Sequence, residues 1–143
     1  MSDGPGHRVE ELDPDRRDEV VALWRSAGLT RPWNDPVTDF DRAVDGPTSA
    51  VLGITDDGRL LATAMVGHDG HRGWVYYVAV AGDARRTGLG RRIMAGAERW
   101  LGSAGAPKVQ LMVRTDNAEA ADFYRHLGYE PADTTVLARW LDG

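Results

Sequence analysis

The sequence predicts an α/β (α+β) fold in which helices flank a mixed sheet, and three observations lead to this prediction. Amphipathic stretches with helical periodicity alternate with short runs of β-branched and aromatic residues. Clusters of Gly, Pro and Asp separate these runs. The 143 residues are enough for one domain with a buried core, and no internal repeat or linker divides them. We therefore expect a flexible tail over residues 1–7 and a single domain over residues 8–143.

The elements of the first half follow from helix-start, turn and strand signals. Asp13-Pro14 offers an N-cap followed by proline at the first helical position, and apolar residues then recur at helical spacing up to Gly28. Asp56-Asp57-Gly58 is a hairpin signal between two apolar runs. The predicted elements are a strand near Arg8–Glu11, a helix from Asp13-Pro14 to Gly28, a helix over Val37–Val44, and strands over Ser49–Thr55 and Arg59–Val66.

The second half begins with Trp74–Val80, in which aromatic and β-branched residues occupy both the odd-numbered and the even-numbered positions. Such a run is expected of a central strand buried on both faces. Regular alternation would place Val75, Tyr77 and Ala79 on one face of it. The remaining predicted elements are an amphipathic helix from Leu89 to Leu101, a strand over Val109–Val113, a helix from Asn117 to Gly128 with Ala120, Phe123 and Leu127 as its core stripe, and a last strand over Thr134–Leu141.

Composition and charge exclude several classes of protein. Because the chain has no Cys, disulfides, thiolate nucleophiles, Fe–S clusters and cysteine-zinc sites are ruled out. No apolar run approaches the about 20 residues that cross a bilayer, and the polar N-terminus lacks the apolar core of a signal peptide. The net charge of −5 disfavours nucleic acid as a partner. We therefore expect a cytoplasmic protein without membrane or nucleic-acid partners.

A basic, glycine-containing turn stands out in this acidic chain. The sequence Arg85-Arg86-Thr87-Gly88-Leu89-Gly90 joins the Trp74–Val80 strand to the following helix, and Arg91 and Arg92 come directly after it. Backbone N–H groups at a helix N-terminus lack partners and carry the positive end of the helix dipole, so the turn predicts a phosphate site. The dinucleotide fingerprint and the P-loop are both excluded, because Ile93 replaces the third glycine and Gly-Lys-Ser/Thr is absent.

Asn117 and Tyr124 form a second candidate pair. Seven residues, or about two helical turns, separate them, so both side chains lie on nearly one face, with small alanines between. The strip offers an amide, a phenol and room for a slender chain. Each residue alone is more often an N-cap or a packed tyrosine, and the pair becomes informative only together with the phosphate turn.

Together these motifs resemble the GNAT superfamily of acyl-CoA-dependent N-acyltransferases over nearly the whole chain. The family has an Arg/Gln-x-x-Gly-x-Gly/Ala turn after its fourth strand and, later, an Asn…Phe-Tyr…Leu-Gly-Tyr/Phe helix. The matching residues are Arg85, Gly88 and Gly90 for the turn, and Asn117, Phe123, Tyr124, Leu127, Gly128 and Tyr129 for the helix. Segments 31–36 and 69–73 further resemble a YpeA-like subgroup.

The resemblance implies a mostly antiparallel GNAT sheet and acetyl-CoA as co-substrate, and it leaves room for a homodimer. It places the pantetheine arm along the end of the fourth strand and the pyrophosphate in the glycine turn. It makes Tyr124 the general acid that protonates the departing CoA sulfur. The implied cofactor-binding residues are Val78, Ala79, Val80, Arg85, Arg86, Thr87, Gly88, Leu89, Gly90, Arg91 and Asn117. No metal is expected, because His68 and His71 lack partners at metal-ligand spacing.

The general base departs from the family pattern. Many relatives carry a Glu on the fourth or fifth strand, where this chain has Trp74 and Met112. A base is needed because an alkyl ammonium, with a pKa of about 10, becomes nucleophilic only after it loses a proton. The candidates are water held by Tyr76 or Tyr77, and Asp69, His71 and Asp116 as direct bases.

The sequence therefore predicts an acetyl-CoA-dependent N-acetyltransferase that moves an acetyl group to a primary amine of a small molecule or peptide by direct attack. Trp33 either lines the acceptor pocket or anchors its loop, and the aspartates that follow it either attract a cationic amine or form a solvated face. The alternative is a regulatory module that binds acyl-CoA without transferring it; the absent base favours this reading and Tyr124 disfavours it. A binder of another phosphate ligand is a more remote alternative.

Overall fold

The computed structural model describes residues 8–142. The chain forms two compact units that divide between Met112 and Val113. Residues 1–7, where the flexible tail is predicted, and residue 143 lie outside the described residues. The single domain over residues 8–143 stays a prediction.

Within residues 8–112, the first unit contains five strands and three α-helices, which follow the predicted order. Its elements are β1 (Val9–Glu11), α1 (Arg17–Ser26), α2 (Pro36–Asp45), β2 (Ser49–Asp56), β3 (Arg59–His68), β4 (Gly73–Val80), α3 (Leu89–Ser103) and β5 (Val109–Leu111). The strand order in the sheet is β1-β2-β3-β4-β5. Neighbouring strands are antiparallel except β4 and β5, which are parallel. The predicted mixed, mostly antiparallel sheet is thus confirmed.

Aspartates cap the starts of the first two helices: Asp13 was predicted to do so, whereas Asp35 lies just before the predicted start at Val37. Asp13 accepts a hydrogen bond from the backbone N–H of Asp15 at 3.2 Å, and a short 3₁₀ turn over Pro14–Arg16 leads into α1. Asp35 accepts from the N–H of Val37 at 3.0 Å, which starts α2 at its proline. Both starts follow the pairing of an acidic N-cap with a proline in the first turn.

The helices of the first unit cover both faces of the sheet. On one face, Trp24 of α1 donates to Thr63 of β3 at 3.0 Å and packs against Phe40 of α2. On the other face, the ring of His68 of β3 packs against the ring of Trp100 of α3, with the ring centroids 6.2 Å apart. Thr63 and His68 are an odd number of residues apart on β3, so their side chains point to opposite faces of the sheet. Helices α1 and α2 therefore lie on one side and α3 on the other. None of the described helices is long and apolar enough to cross a membrane.

Two expectations about the later strands of this unit are wrong. β4 is not buried on both faces, because the Tyr76 side chain is 41% exposed. β5 ends at Leu111 rather than Val113. Apolar composition could not reveal either fact, since both depend on the packing and pairing of segments that are distant in sequence.

The second unit contains α4 (Ala118–His126). Gly128 has a φ of +97°, as expected of a glycine that ends a helix in the left-handed conformation. The predicted core stripe of α4 is only half-buried, and none of this helix's residues is fully buried.

The strand predicted over Thr134–Leu141 is wrong, because the structure has no strand after α4 in the described residues. Leu137 and Leu141 are 90% and 94% exposed. A β-branched, apolar pattern describes side chains only, whereas a strand also needs a neighbouring backbone to pair with. The segment therefore has strand composition without strand pairing.

Candidate active site

The sheet opens at the end of β4. β5 pairs with β4 only along Gly73–Val75. Beyond that point, no strand of the described chain pairs with the outer edge of β4. The N–H of Ala81 donates to the carbonyl of Leu61 on β3 at 2.8 Å. Because backbone groups alternate along a strand, those of Val78 and Val80 face the open edge, whereas those of Ala79 face β3.

A bulge interrupts β4 just before this edge. In the register with β3, Met65 pairs with Tyr76 and Thr63 with Ala79, so Tyr77 and Val78 together oppose one residue of β3. Tyr77 has a φ of +53°, in the left-handed region that bulky residues rarely enter. The bulge adds a residue and so changes which face the following side chains occupy.

The bulge overturns the predicted alternation along β4. Gly73 lies against Leu101 of α3, and Val75, two residues on, shares that face. Tyr77 instead stacks on Trp24 of α1, with ring centroids 3.9 Å apart and planes 12° from parallel. Ala79 belongs to the same buried cluster as Trp24. The expectation that Val75, Tyr77 and Ala79 share a face is therefore wrong.

The basic turn follows β4 and leads into α3. It starts with a short 3₁₀ helix over Gly82–Ala84, and both Arg86 and Gly88 have positive φ, of 65° and 85°. Gly88 is the N-cap of α3; no side chain caps the helix, and its first turn contains no acidic residue. A Cβ built at Gly88 would meet nothing within 4 Å. The N-terminus of α3 is therefore an open position for an anion.

The side chains of the turn divide into exposed and buried groups. Arg85, Arg86, Thr87 and Arg91 are exposed, whereas Leu89 is buried and anchors the start of α3 in the core. The turn's single carboxylate is Asp83, and its ion pair with Arg59 lowers its pKa. The positive charge of the arginines is thus not offset by this carboxylate.

The second unit holds the other two predicted site residues on and beside α4. The side-chain oxygen of Asn117 accepts from the N–H of Ala120 at 3.0 Å, so Asn117 is an N-cap. Tyr124 is half-buried. Its ring packs edge-on against the rings of Phe123 and Tyr129, with centroid separations of 5.0 and 6.0 Å. Burial raises the pKa of Tyr124 to about 12, so the phenol keeps its proton at neutral pH.

The candidate bases of the first unit differ in how they are engaged. The Tyr77 hydroxyl donates to Asp39 of α2 at 2.7 Å, and burial together with that carboxylate raises the pKa of Tyr77. Asp69 accepts from the N–H groups of His71 and Arg72, and these bonds lower its pKa. Tyr76 is partly exposed, and burial raises its pKa. Tyr77 and Asp69 are therefore committed to structural contacts.

Sequence reasoning missed a buried polar network beneath the bulge. Trp24 donates to the Thr63 hydroxyl at 3.0 Å, and that hydroxyl donates to the carbonyl of Tyr77 at 3.1 Å. Among residues 8–142, Thr63 is the only buried polar residue. The one available signal was a lone threonine inside the apolar Leu60–Val66 run. Its partners lie 39 and 14 residues away, so their contact could not be seen in sequence.

Two further predicted features concern the acceptor and metals. Trp33 is 54% exposed in the segment between α1 and α2. In the part of the chain that the structure describes, no three His, Cys, Asp or Glu side chains gather as metal ligands would. The absence of a metal from the reaction stays a prediction.

The chain matches the model of the acetyltransferase (GNAT) family over residues 13–129. An acetyltransferase from Yersinia pestis (strain Pestoides F) is 37% identical over 133 residues, which cover 93% of this chain and 94% of that protein. A family match and a relative of this identity establish the family of the chain.

Solved structures share the fold at low sequence identity. The aminoglycoside N-acetyltransferase AAC(6')-Iy in complex with CoA superposes with a TM-score of 0.81 at 14% identity, covering 99% of each chain. The same enzyme with the bisubstrate analogue CoA-S-monomethyl-acetylneamine gives 0.79 at 13% identity, covering 93% of this chain and 97% of that one. A transcriptional regulator from Bacillus halodurans C-125 superposes with a TM-score of 0.80 at 15% sequence identity. The superposition covers 94% of this chain and 99% of that one. The chain belongs to the GNAT acetyltransferase family and is an N-acetyltransferase (EC 2.3.1.-).

Proposed function

We propose that the protein transfers the acetyl group of acetyl-CoA to the primary amine of a small molecule by direct attack. The observation that carries this proposal is the uncapped N-terminus of α3, which follows directly from the open edge of β4. A thioester linked to a pyrophosphate needs both features: an anion site for the phosphates and free backbone groups for the slender arm. The aminoglycoside acetyltransferases that share the fold support an amine as acceptor.

The residues of the first unit divide the binding of acetyl-CoA between them. The N–H groups at the start of α3, from Leu89 to Arg91, point toward the pyrophosphate, and Arg85 and Arg86 add positive charge. The carbonyl of Val78 and the backbone of Val80 pair with the pantetheine arm. Ala79, whose backbone faces β3, contributes packing rather than hydrogen bonds to this arm.

The reaction forms one bond and breaks another. The neutral amine nitrogen attacks the thioester carbonyl, so a C–N bond forms as the C–S bond breaks. The nitrogen loses a proton to water, and the thiolate gains one from Tyr124, which leaves an amide and free CoA. Tyr124 then regains a proton from solvent, which restores the acid for the next turnover. The family resemblance assigns this role to Tyr124, and its raised pKa suits a group that must arrive protonated.

Loss of the Tyr124 hydroxyl tests its assignment as the acid. Tyr124→Phe keeps the ring contacts and removes only the proton, so kcat should fall by roughly 10²–10⁴-fold while the Kd for acetyl-CoA changes little. Tyr129→Phe is the matched control, because Tyr129 packs edge-on against Tyr124. Unchanged turnover in Tyr124→Phe would reduce this residue to a packing role.

The pH dependence tests the proposal that water accepts the proton. With Tyr77 and Asp69 engaged elsewhere, the amine reacts as its minor neutral form, near water that the partly exposed Tyr76 holds. The value of kcat/KM should then rise up to about pH 8–9, toward the pKa of the amine. A plateau reached by about pH 6 would instead identify a protein base, with His71 and Asp116 tested first.

A thiol-release assay with acetyl-CoA decides between transfer and binding alone. The acceptor panel should include an aminoglycoside, a polyamine, an amino-acid amide and a short peptide. Release of CoA that depends on the amine, with the acetylated product seen by mass spectrometry, supports the proposal. Tight binding of acetyl-CoA without transfer to any of these amines would favour a regulatory, acyl-CoA-binding role.

A further inference from the structure

The buried network under the bulge of β4 aims a backbone group at the open edge. The peptide bond between Tyr77 and Val78 is trans, because the described chain contains no cis peptide. In a trans peptide the C=O and the following N–H point in opposite directions. The Tyr77 carbonyl is held by the Thr63 hydroxyl on the β3 side. The N–H of Val78 must therefore point away from β3, toward the open edge.

Three contacts fix this peptide in an unfavourable conformation. Tyr77 is held at its carbonyl by Thr63, at its ring by the stack on Trp24, and at its hydroxyl by Asp39. Trp24 also donates to Thr63, so a chain of hydrogen bonds runs from α1 through β3 to β4. Bulky residues with a left-handed backbone conformation persist only where their surroundings hold them in it. Such residues are enriched at functional sites.

We infer that Thr63 and Asp39 are positioning residues for acetyl transfer: they hold Tyr77 in the bulge so that the N–H of Val78 polarises the thioester carbonyl. This inference rests on the proposed function, because it assumes that the acetyl group lies at the open edge of β4. A donor held in place before the substrate binds needs no reorganisation during the reaction. The hydrogen bond on the Tyr77 carbonyl also polarises the shared peptide and strengthens its N–H as a donor.

The test uses the carbonyl stretch of [1-¹³C]acetyl-CoA bound to the protein, measured by isotope-edited infrared spectroscopy, together with kcat and the Kd for acetyl-CoA. In the wild type the stretch should lie below that of free acetyl-CoA. In Thr63→Val at least half of this shift should be lost and kcat should fall about tenfold, with the Kd within about twofold. Thr63→Ser restores the hydroxyl and should recover both the stretch and the turnover.

Matched controls separate positioning from general loss of stability. Ser49→Ala removes another hydroxyl that donates to a backbone carbonyl, that of Ala43 at 2.8 Å, and should leave the stretch unchanged. If Thr63→Val does not fold, Asp39→Ala provides the second test and should reduce the shift and kcat in the same direction. Its control is Asp41→Ala, on the same helix, which loses only an ion pair with Arg17.

Each outcome decides one of the two proposals. An unchanged stretch and kcat in Thr63→Val would overturn the positioning role, as would equal losses in Thr63→Val and Ser49→Ala. A shifted stretch in the wild type without transfer to any amine would overturn the proposed function and leave the positioning of the carbonyl supported. Failure of the wild type to bind acetyl-CoA would overturn both.

Discussion

The bulge at Tyr77 and the turn at Arg86–Gly88 both depend on left-handed backbone, but they are held in different ways. Tyr77 lies against α1 and is fixed by two hydrogen bonds and a ring stack. Arg86 and Gly88 are exposed, and Gly88 has open space on the side where a Cβ would lie. One left-handed site is therefore built into the core, whereas the other lies at the surface.

The difference indicates two kinds of preparation for a ligand. The bulge is formed completely by contacts within the protein, so it has its geometry before any substrate arrives. The turn leaves its N–H groups and charges without a capping side chain, so its best partner is an external anion. Changes at the turn should therefore affect binding most, and changes at the bulge should affect stability and turnover.

The largest effect is expected for Gly88→Glu. A side chain at a φ of 85° is strained, and the new carboxylate would repel the pyrophosphate, so acetyl-CoA should bind at least about 100-fold more weakly. Calorimetric titration measures the change. Gly102→Glu adds the same charge near the far end of α3, where a Cβ also has open space, and should bind normally. Binding within threefold of wild type in Gly88→Glu would contradict an anion site at this turn.

The second prediction concerns the order of two substitutions at Tyr77. Both Tyr77→Ala and Tyr77→Gly lose the ring, but the positive φ should make the glycine variant more stable than the alanine variant by about 1 kcal/mol. Urea unfolding followed by fluorescence measures this difference. At Tyr76, which has no positive φ, the order should reverse, because glycine weakens a regular strand. Alanine as the more stable variant at both positions would show that the bulge is not strained.

A smaller and opposed pair of effects is expected for Arg86→Gly. Glycine suits the φ of 65°, so the free energy of unfolding should rise by about 0.5–1 kcal/mol. Loss of the charge should weaken acetyl-CoA binding about threefold. Asp57→Gly is the control, because Asp57 has a φ of 53° in the β2–β3 turn. It should stabilise the protein without changing binding; an equal loss of affinity in both variants would contradict a role for the Arg86 charge.

The smallest effect is expected at alkaline pH. The pKa of Tyr77 is raised in the folded state above its ordinary value of 10.0, so the folded protein holds this proton more tightly than the unfolded chain. The stability that this contributes is complete below pH 10 and is lost as pH rises through the folded-state pKa. The free energy of unfolding should therefore fall more steeply above pH 10 in the wild type than in Tyr77→Phe. Parallel curves would contradict the raised pKa of Tyr77, which burial and the bond to Asp39 cause together.

Local signals in the sequence predicted most of the fold. The helix start at Asp13, the hairpin at Asp57 and the end of α4 at Gly128 each depend on residues within a few positions of one another. The glycine turn before α3 was predicted for the same reason, because a helix N-terminus after a strand is a local arrangement. The last strand was not predicted correctly, since strand pairing depends on a partner elsewhere in the chain.

The sequence by itself determined the family, the basic turn, the order of elements up to α4, and the helix that carries Asn117 and Tyr124. Only the tertiary structure decided the bulge of β4, the length of its pairing with β5, and the network that joins Trp24, Thr63 and Tyr77. Caps and turns are set by neighbours in the chain, whose identities can be read directly. A bulge and a buried hydrogen bond arise from packing between segments 14 to 39 residues apart, and periodicity carries no record of that contact.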